Sequence, residues 1–365
     1  MSFQLSDHID SQLYALPYPA KKNYAHTINL SSNEINHPAL PQLFAAFLRE
    51  CPPNAASCYP YWPQIVTTIA RHYGLDERSV VPTAGADDAI RVVLYMLGRR
   101  TRRLVLQSPN YQAYTLYARL FDIAVTPISC VNTSATAFID ELIEHLSTAE
   151  ASLVVLTNPH GFTGQLVPAD EMERLARTCA RHNHLLAIDE TYIAFSAGDH
   201  LPLMQRYEHV LLIRSFSKGL GMAGLRMGAI LASPALASVL ARWSSTNTVT
   251  AVSGYFLAYC FEHHQVIQAA LKDLTETKAW LVERLGALFP EWRCELSATN
   301  FLLVDTGSAE TADHIVQSLA ERAIMVKSLA GERGLETCFR FSIGERRIME
   351  TFLATLEAVC SARAL

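Results

Sequence analysis

Short apolar runs alternate with amphipathic stretches up to about residue 245 of this chain. The runs are five to seven residues long and rich in Val, Ile and Leu, which is typical of strands buried on both faces of a sheet. They lie at 103–108, 124–129, 152–158, 184–190, 210–215 and 228–232. Helical spacing separates most of them, as in "DDAIRVVLYMLG" and "PADEMERLARTCARHN". This alternation predicts an α/β fold, a three-layer αβα domain with a mostly parallel sheet between helices.

The pattern changes after residue 245. Residues 253–289 have the spacing of one long helix or of a kinked helix pair. Strand-like runs follow at 299–306, 323–328 and 337–344, with a helix near 311–322 and a last helix at the C-terminus. We therefore expect a large domain at 29–245 and a smaller α+β domain formed by 1–28 and 246–365.

Composition and charge narrow the class of protein. The chain has 365 residues, is 50% apolar and 18% charged, and carries a net charge of −5. Its one short basic cluster, "GRRTRR" at 98–103, falls short of the basic surface that a nucleic-acid partner requires. The chain begins without a signal-peptide pattern, and no apolar run reaches the roughly 18 residues that span a bilayer. Eight cysteines without a C-x-x-C pair indicate free thiols, so we expect a cytoplasmic protein with no nucleic-acid or membrane partner.

Polar residues follow the predicted strands at the ends where parallel sheets bind ligands. "HLLAIDE" delivers Asp189 with Tyr192 three residues later, and "VLLIRS" leads into Lys218. The small-residue helix start "TAGADDAI" (83–90) exposes backbone N–H groups that suit a phosphate. A nucleophilic lysine, a buried carboxylate and a phosphate site together suit pyridoxal phosphate, because its aldehyde forms an imine with lysine and its ring nitrogen pairs with a carboxylate.

Ordered motifs along nearly the whole chain support this interpretation. They are "LSSNE" (30–34), "CYPYWP" (58–63), "TAGADDAI", "PNYQAY" (109–114), "NPHGFTG" (158–164), "DETYIAF" (189–195), "SFSKGLGMAGLRMG" (215–228), "SATNFLLV" (297–304) and "CFRFSIG" (338–344). In this order they resemble the fold-type I pyridoxal-phosphate enzymes of the class I/II aminotransferase group, in particular the histidinol-phosphate aminotransferases. Each motif alone is a weak signal, whereas the ordered set is specific.

The resemblance implies how each motif contacts the cofactor in the large domain. Lys218 would form the imine with the cofactor and then shuttle a proton, while Asp189 would pair with the ring nitrogen. Tyr192 would hydrogen-bond the ring hydroxyl, and Tyr111 would stack on the ring face. The other implied cofactor contacts are Asn158 and, around the phosphate, Gly85, Ala86, Asp87, Ser215, Ser217 and Arg226.

The resemblance also implies a substrate site and a homodimer with shared active sites. Tyr59 would reach the cofactor phosphate of the neighbouring subunit. Arg340 would take the substrate carboxylate as a bidentate pair, and Asn33, Tyr18 and Lys327 would complete the substrate site. The implied substrates are an amino acid, or a histidinol-phosphate-like amine, together with a 2-oxo acid.

Two positions depart from the family pattern. Gly161 replaces an asparagine that donates to the cofactor's ring oxygen, and Phe162 replaces a proline. We expect His160 to be an exposed loop residue, and the lost donor to raise the pKa of the imine. Lys327 stands where the family uses an arginine for the substrate phosphate, so we expect an amino acid to be preferred over histidinol phosphate.

Other functions fit parts of the same sequence. The same cofactor supports elimination, replacement, cyclisation or decarboxylation, and this chemistry is the alternative to transamination. A ligand sensor built on this fold would carry a DNA-binding domain, for which no basic helix-turn-helix pattern is present. A nicotinamide dehydrogenase would carry "GLGMAG" (219–224) after its first strand and not beside Lys218.

Overall fold

The structure, a computed structural model, describes residues 27–245 and 247–363. A large sheet is formed by β2 Val80–Thr83, β3 Arg103–Ser108, β4 Ala124–Ser129, β5 Leu153–Thr157, β6 Leu185–Asp189, β7 Val210–Ser215 and β8 Gly228–Ala232. Its seven strands are ordered β2-β8-β7-β6-β5-β3-β4. The strands β3 to β7 pair in parallel with one another, whereas β8 is antiparallel to both β7 and β2. The predicted mostly parallel sheet is confirmed.

Helices cover both faces of this sheet because successive side chains of a strand point to opposite faces. In β5, Val154 and Leu156 pack with one helix layer, whereas Leu153 and Val155 pack with the other. The first layer comprises Ala39–Glu50, Trp62–Tyr73, Ala135–Thr148, Ala169–Arg181, Leu201–Arg206 and Ala251–Glu262. The second comprises Gly85–Val93 with its continuation Leu94–Gly98 and Arg99–Thr101, then Gln112–Leu120 and Pro234–Ala241.

The two edges of the sheet differ from the prediction. The sequence predicts that 124–129 is buried on both faces, but Ile128 is the only buried residue of β4. As the edge strand, β4 pairs with β3 alone and its side chains meet solvent. At the opposite edge, β2 was not predicted, because four residues that include Pro82 carry no readable periodicity.

The C-terminal part forms a second sheet. Its strands β9 Arg293–Cys294, β10 Phe301–Asp305, β12 Lys327–Ser328 and β13 Cys338–Ser342 are antiparallel in the order β12-β13-β10-β9. The helices Ala309–Glu321 and Arg346–Arg363 pack on it. The predicted strand at 323–328 is broken at Val326 into β11 Ile324–Met325 and β12, and β11 pairs in parallel with β1 Ile28–Asn29.

The predicted helical region at 253–289 is a helix pair. Ala251–Glu262 ends at His263, and His264–Leu288 then runs on for 25 residues. This second helix contributes to both hydrophobic cores. Ile267 belongs to the core of the large sheet, and Leu281 belongs to the core of the small sheet. The domain division near residue 245 stays a prediction.

Strand register brings three polar strand ends together. Thr157 lies opposite Asp189, and Asp189 lies opposite Ile213, two residues before Ser215. In a parallel sheet these carboxyl ends share one edge, where ligands are bound. The candidate site is therefore built on the ends of β5, β6 and β7.

A close backbone approach holds the helix Gly85–Val93 against this edge. A Cβ atom built on Gly228 would lie 2.7 Å from the carbonyl oxygen of Arg214 and 2.8 Å from the carbonyl carbon of Gly85. Both contacts are with backbone, so neither neighbour can rotate away. Glycine at 228 is therefore required for β8 to run beside this helix start.

We expect Gly228→Ala to destabilise the protein by about 1–3 kcal/mol, because the added methyl forces backbone to move. Gly286→Ala is the matched control. Its Cβ would meet no atom within 4 Å, and it lies in the helix His264–Leu288. This second variant should stabilise the protein by up to about 1 kcal/mol. Urea unfolding midpoints measure both changes, and equal effects would contradict the packing argument.

Candidate active site

The carboxylate of Asp189 is buried at the end of β6. The hydroxyl of Tyr114 donates to its Oδ2 at 2.9 Å, and Thr191 donates to its Oδ1 through its backbone N–H at 3.0 Å and its hydroxyl at 2.6 Å. Burial raises the pKa of Asp189, and these hydrogen bonds oppose the rise. Three donors therefore orient the carboxylate, and its burial keeps it out of contact with solvent.

Tyr192 and Asn33 meet next to this carboxylate. The Nδ2 group of Asn33 donates to the Tyr192 hydroxyl at 2.8 Å, and both side chains are buried. The Tyr192 ring packs edge-on against Phe301 with 5.5 Å between ring centroids. The sequence places Asn33 in the substrate site, and the structure adds its contact with Tyr192.

Lys218 lies in the short helix Phe216–Gly219 that directly follows β7. Its Nζ donates to the carbonyl oxygen of Ser32 at 2.7 Å. Burial lowers the pKa of Lys218 to about 8, aided by the positive charges of Arg340 and Arg226 and opposed by Glu34. A lysine with a lowered pKa is neutral in a larger fraction of molecules, which a nucleophilic amine requires.

The helix start at Gly85 faces Arg226. No side chain of the described residues caps this helix, so its first N–H groups are left for another acceptor. A Cβ on Gly85 would lie 2.7 Å from Nη2 of Arg226, and Arg226 pairs with Asp87 at 3.1 Å. Ala86 lies between Gly85 and Asp87 in the first turn of the same helix. The arrangement suits an anion bound at a helix N-terminus beside a guanidinium.

Ser215 and Tyr111 both lie near the same helix start, Ser215 opposite Gly228 in the sheet and Tyr111 beside Asp87. Ser215 caps the short helix after β7, since its Oγ accepts from the backbone N–H of Ser217 at 3.3 Å. Tyr111 is 47% exposed, and burial of its hydroxyl end together with the Asp87 carboxylate raises the pKa of Tyr111. The Tyr111 side chain is therefore half-exposed beside Asp87.

The loop "NPHGFTG" is held internally by its polar side chains. The Asn158 amide donates to the Val167 carbonyl at 3.0 Å, lies 3.2 Å from Nε2 of His200, and accepts from the Val167 N–H at 2.8 Å. These hydrogen bonds of the Asn158 side chain fix the conformation of the loop. A cofactor contact of Asn158 stays a prediction.

His160 is buried, so the prediction of an exposed loop residue is wrong. Its Nε2 lies 2.7 Å from the Pro109 carbonyl, and its Nδ1 accepts from the backbone N–H of Thr163 at 3.2 Å. Burial lowers the pKa of His160 to about 4. The ring is therefore neutral and ties this loop to the "PNYQAY" segment, a long-range contact without a local sequence signal.

Arg340 is buried in β13 and directed at the same loop. Its Nη1 donates to the Gly161 carbonyl, and its guanidinium lies 5.4 Å from the Phe162 ring and 4.8 Å from the Phe301 ring. Its Nε is buried without a hydrogen-bond partner among the described residues. Burial lowers the pKa of Arg340, so this charge favours an anionic partner.

Three further predicted residues have distinct surroundings. Lys327 is exposed and lies directly opposite Arg340 in the antiparallel pair of β12 and β13, so both side chains are on one face of the sheet. Tyr59 is 83% exposed in the loop before helix Trp62–Tyr73. Tyr18 lies outside the described residues.

Some residues of the site were not predicted from the sequence. Tyr114 and Thr191 hold Asp189, although both lie inside motifs that the sequence shows. Behind them, buried Glu190 forms an ion pair with Arg214 at 2.9 Å and a contact with His200 at 2.8 Å. The adjacency of Asp189 and Glu190 was the available signal, because a second buried acid needs a buried cation.

The residues present fit pyridoxal phosphate. Among the described residues, the buried Asp189 carboxyl group accepts hydrogen bonds from neutral donors only. Lys218 supplies an amine of lowered pKa, and the uncapped helix start beside Arg226 supplies an anion site. A ring with a cationic nitrogen, an aldehyde and a phosphate matches these three groups.

Comparison with known proteins shows the family of this chain. The fold and site define a fold-type I pyridoxal-phosphate enzyme, and the chain belongs to the family described as aminotransferase class I and II, whose family model matches residues 25–356. It is accordingly an aminotransferase that uses pyridoxal phosphate. No helix among the described residues is long and apolar enough to cross a membrane.

Similar proteins carry one recurrent name. The histidinol-phosphate aminotransferase of Ruminiclostridium cellulolyticum is 24% identical over 351 residues, which cover 94% of this chain and 96% of that protein. The solved histidinol-phosphate aminotransferase of Clostridium acetobutylicum has a TM-score of 0.81 at 19% identity, over 91% of this chain and 98% of that one. The Sinorhizobium meliloti enzyme, solved with pyridoxal-5'-phosphate, has a TM-score of 0.79 at 21% identity and covers 93% of each chain.

The lowered pKa of Lys218 predicts when its amine becomes reactive. In cofactor-free protein, acylation of Lys218 should rise with pH and reach half of its maximum near pH 8, because only the neutral amine reacts. A short pulse of an amine-selective reagent, followed by peptide mass spectrometry, measures this profile. Lys272, which is exposed on the helix His264–Leu288, is the reference in the same digest. A Lys218 midpoint no lower than that of Lys272 would contradict the prediction.

Proposed function

We propose that this aminotransferase moves an amino group between an amino acid and a 2-oxo acid at the site around Lys218. The observation that carries the proposal is the buried Arg340 guanidinium, whose Nε has no hydrogen-bond partner among the described residues. It is close enough to Lys218 for its charge to lower that lysine's pKa. A carboxylate beside a reacting amine is the feature shared by amino acids and by the amino products of 2-oxo acids.

The proposed roles follow from the contacts of each side chain. Bound pyridoxal phosphate supplies an aldehyde that joins to amines and a ring that accepts the electron pair released at the substrate carbon. The neutral amine of Lys218 would accept and hold the proton released at the substrate carbon, at a position set by the short helix after β7. Its lowered pKa suits a group that must both accept and give up a proton near neutral pH.

Asp189 is proposed to hold the ring nitrogen in its protonated form. Its carboxylate is fixed by Tyr114 and Thr191, so it cannot turn away from a ligand cation. A cation beside it would offset the burial that raises the pKa of Asp189. Gly85, Ala86 and Ser217 with Arg226 are proposed to hold the phosphate at the helix start, and Tyr111 to cover one face of the ring.

Arg340 is proposed to bind the carboxylate of the amino donor. Its planar donors suit a bidentate pair with a carboxylate, and the rings of Phe162 and Phe301 flank its guanidinium. The Gly161 carbonyl already occupies one Nη, which leaves the Nε side for the substrate. Asn33 and Tyr192 lie beside this position and limit how the substrate carbon is presented.

A second candidate substrate is histidinol phosphate. The relatives named above carry that activity in their names, and Lys327 lies on the same sheet face as Arg340. We place the amino acid first because Lys327 is a point charge that orients a phosphate less well than an arginine. Elimination, cyclisation and decarboxylation use the same residues, and product analysis separates them from amino-group transfer.

The active unit is proposed to be a cytoplasmic homodimer with shared sites. Tyr59 is 83% exposed, and neighbouring Tyr61 is 68% exposed. Two exposed tyrosines in one loop, separated by a single proline, suit a surface that another subunit covers. In this arrangement the Tyr59 hydroxyl donates to the cofactor phosphate in the partner's site.

The substrate proposal predicts how Arg340→Gln alters specificity. With amino acid donors, kcat/KM should fall by more than about tenfold, the scale of a charge-assisted hydrogen-bond pair. Donors without a carboxylate should lose much less. Arg346→Gln is the control, because Arg346 is exposed and pairs with exposed Glu350 on the outer side of the helix Arg346–Arg363. Lys218→Ala should lose all turnover and all borohydride-fixed cofactor.

The panel of donors includes histidinol phosphate with 2-oxoglutarate, and the products are identified by mass. A histidinol phosphate kcat/KM about tenfold or more above every free amino acid would reverse the order of the two candidates. Release of carbon dioxide or ammonia in place of a 2-oxo acid would replace transamination by the alternative chemistry.

Shared sites predict complementation between two defective chains. Tyr59→Phe should lower activity about tenfold through one lost bond to a charged group, and Lys218→Ala should abolish it. In a mixed dimer, one site then combines intact Lys218 with intact Tyr59 from the partner. Activity after subunit exchange should exceed the sum of the two parents. Activity equal to that sum, or a fully active monomer in sedimentation, would contradict sharing.

A further inference from the structure

The hydroxyl of Tyr192 has a defined hydrogen-bond polarity. It accepts from Nδ2 of Asn33 at 2.8 Å in buried surroundings. An oxygen that accepts on one side directs its own hydrogen elsewhere, and acceptance strengthens it as a donor. The Tyr192 hydrogen is thus available to a ligand.

The neighbouring loop supplies no competing side-chain donor. Gly161 has no side chain, and its carbonyl accepts from Arg340. Both ring nitrogens of His160 are engaged, by Pro109 and Thr163. The Asn158 amide is bonded to Val167 and lies beside His200.

We propose that Asn33 is a positioning residue that sets the Tyr192 hydroxyl as the hydrogen-bond donor to the ring oxygen of the cofactor. This inference rests on the proposed function. The segment "LSSNE" would then influence the protonation of the bound cofactor, in addition to lying beside the substrate. The absence of a donor at Gly161 makes this pair the main control over that oxygen.

The surroundings of Asn33 explain how it can do this. Its backbone is left-handed, with φ at 53°, a conformation that asparagine tolerates better than most residues. Asn300 donates to its carbonyl at 2.9 Å, and Ser342 donates to its Oδ1 at 3.4 Å. The preceding Ser32 carbonyl accepts from Lys218. Asn33 is thereby held between the small sheet and the lysine.

The sign of the effect on the bound cofactor follows. A donor at the ring oxygen weakens that oxygen's attraction for the proton of the lysine–cofactor linkage, so it lowers the pKa at which the linkage loses its proton. Removing the donor should raise this pKa. The charged groups that face Tyr192 and Lys218 are Asp189, Glu34, Asp87, Arg226 and Arg340, and all are kept in the variants.

The test is a pH titration of the visible absorbance of the holoenzyme. Asn33→Gly keeps the left-handed backbone and removes the amide, and Tyr192→Phe removes the donor itself. Each should raise the spectroscopic pKa by about half a unit to one unit, the span of one ordinary hydrogen bond. In the Tyr192→Phe background, Asn33→Gly should add no further shift. Asn36→Ala is the control, because Asn36 bonds the Asn29 carbonyl and not Tyr192.

Two outcomes would overturn the inference. An unchanged spectroscopic pKa in Asn33→Gly would show that Asn33 does not act on the cofactor. A lowered pKa would show that Tyr192 donates to Asn33 and that its removal frees the hydroxyl. If Asn33→Gly fails to fold, Asn33→Asp retains the size and should also raise the pKa, because its carboxylate would draw the Tyr192 hydrogen to itself. Wild-type protein that binds no cofactor would instead reject the proposed function.

Discussion

The buried carboxylate of Asp189 is the group on which the rest of the site depends. Because it is removed from water at the end of β6, it needs donors and a cation. Tyr114 and Thr191 supply the donors, and a bound ring nitrogen would supply the cation. The parallel register then fixes the distance from this carboxylate to the end of β7, from which Lys218 follows.

Burial acts in opposite directions on the two reactive groups. It raises the pKa of Asp189 and lowers the pKa of Lys218 to about 8. Each shift favours the neutral form of the group. A cofactor that brings a cation to the acid and an aldehyde to the amine relieves both costs, so the same burial that destabilises the charges favours cofactor binding.

Residues from the second sheet complete the site. Arg340 of β13 donates to the Gly161 carbonyl in the loop "NPHGFTG" that follows β5, and Ser342 of the same strand contacts Asn33. Gly161 therefore takes part through its backbone carbonyl, and the ring of the neighbouring Phe162 lies near the guanidinium. Strand β13 therefore contacts both the proposed substrate-binding side of the site and the residue proposed to orient Tyr192.

The sequence by itself determined the α/β fold, the mostly parallel sheet and the family, because apolar periodicity and ordered motifs are local properties of the chain. It did not reveal β2, the exposure of β4 or the burial of His160, since edge position and long-range contacts such as His160 with Pro109 arise only on folding. The Asn33–Tyr192 bond joins residues 159 positions apart. Only tertiary packing decides such a bond, because nothing local in either segment specifies its partner.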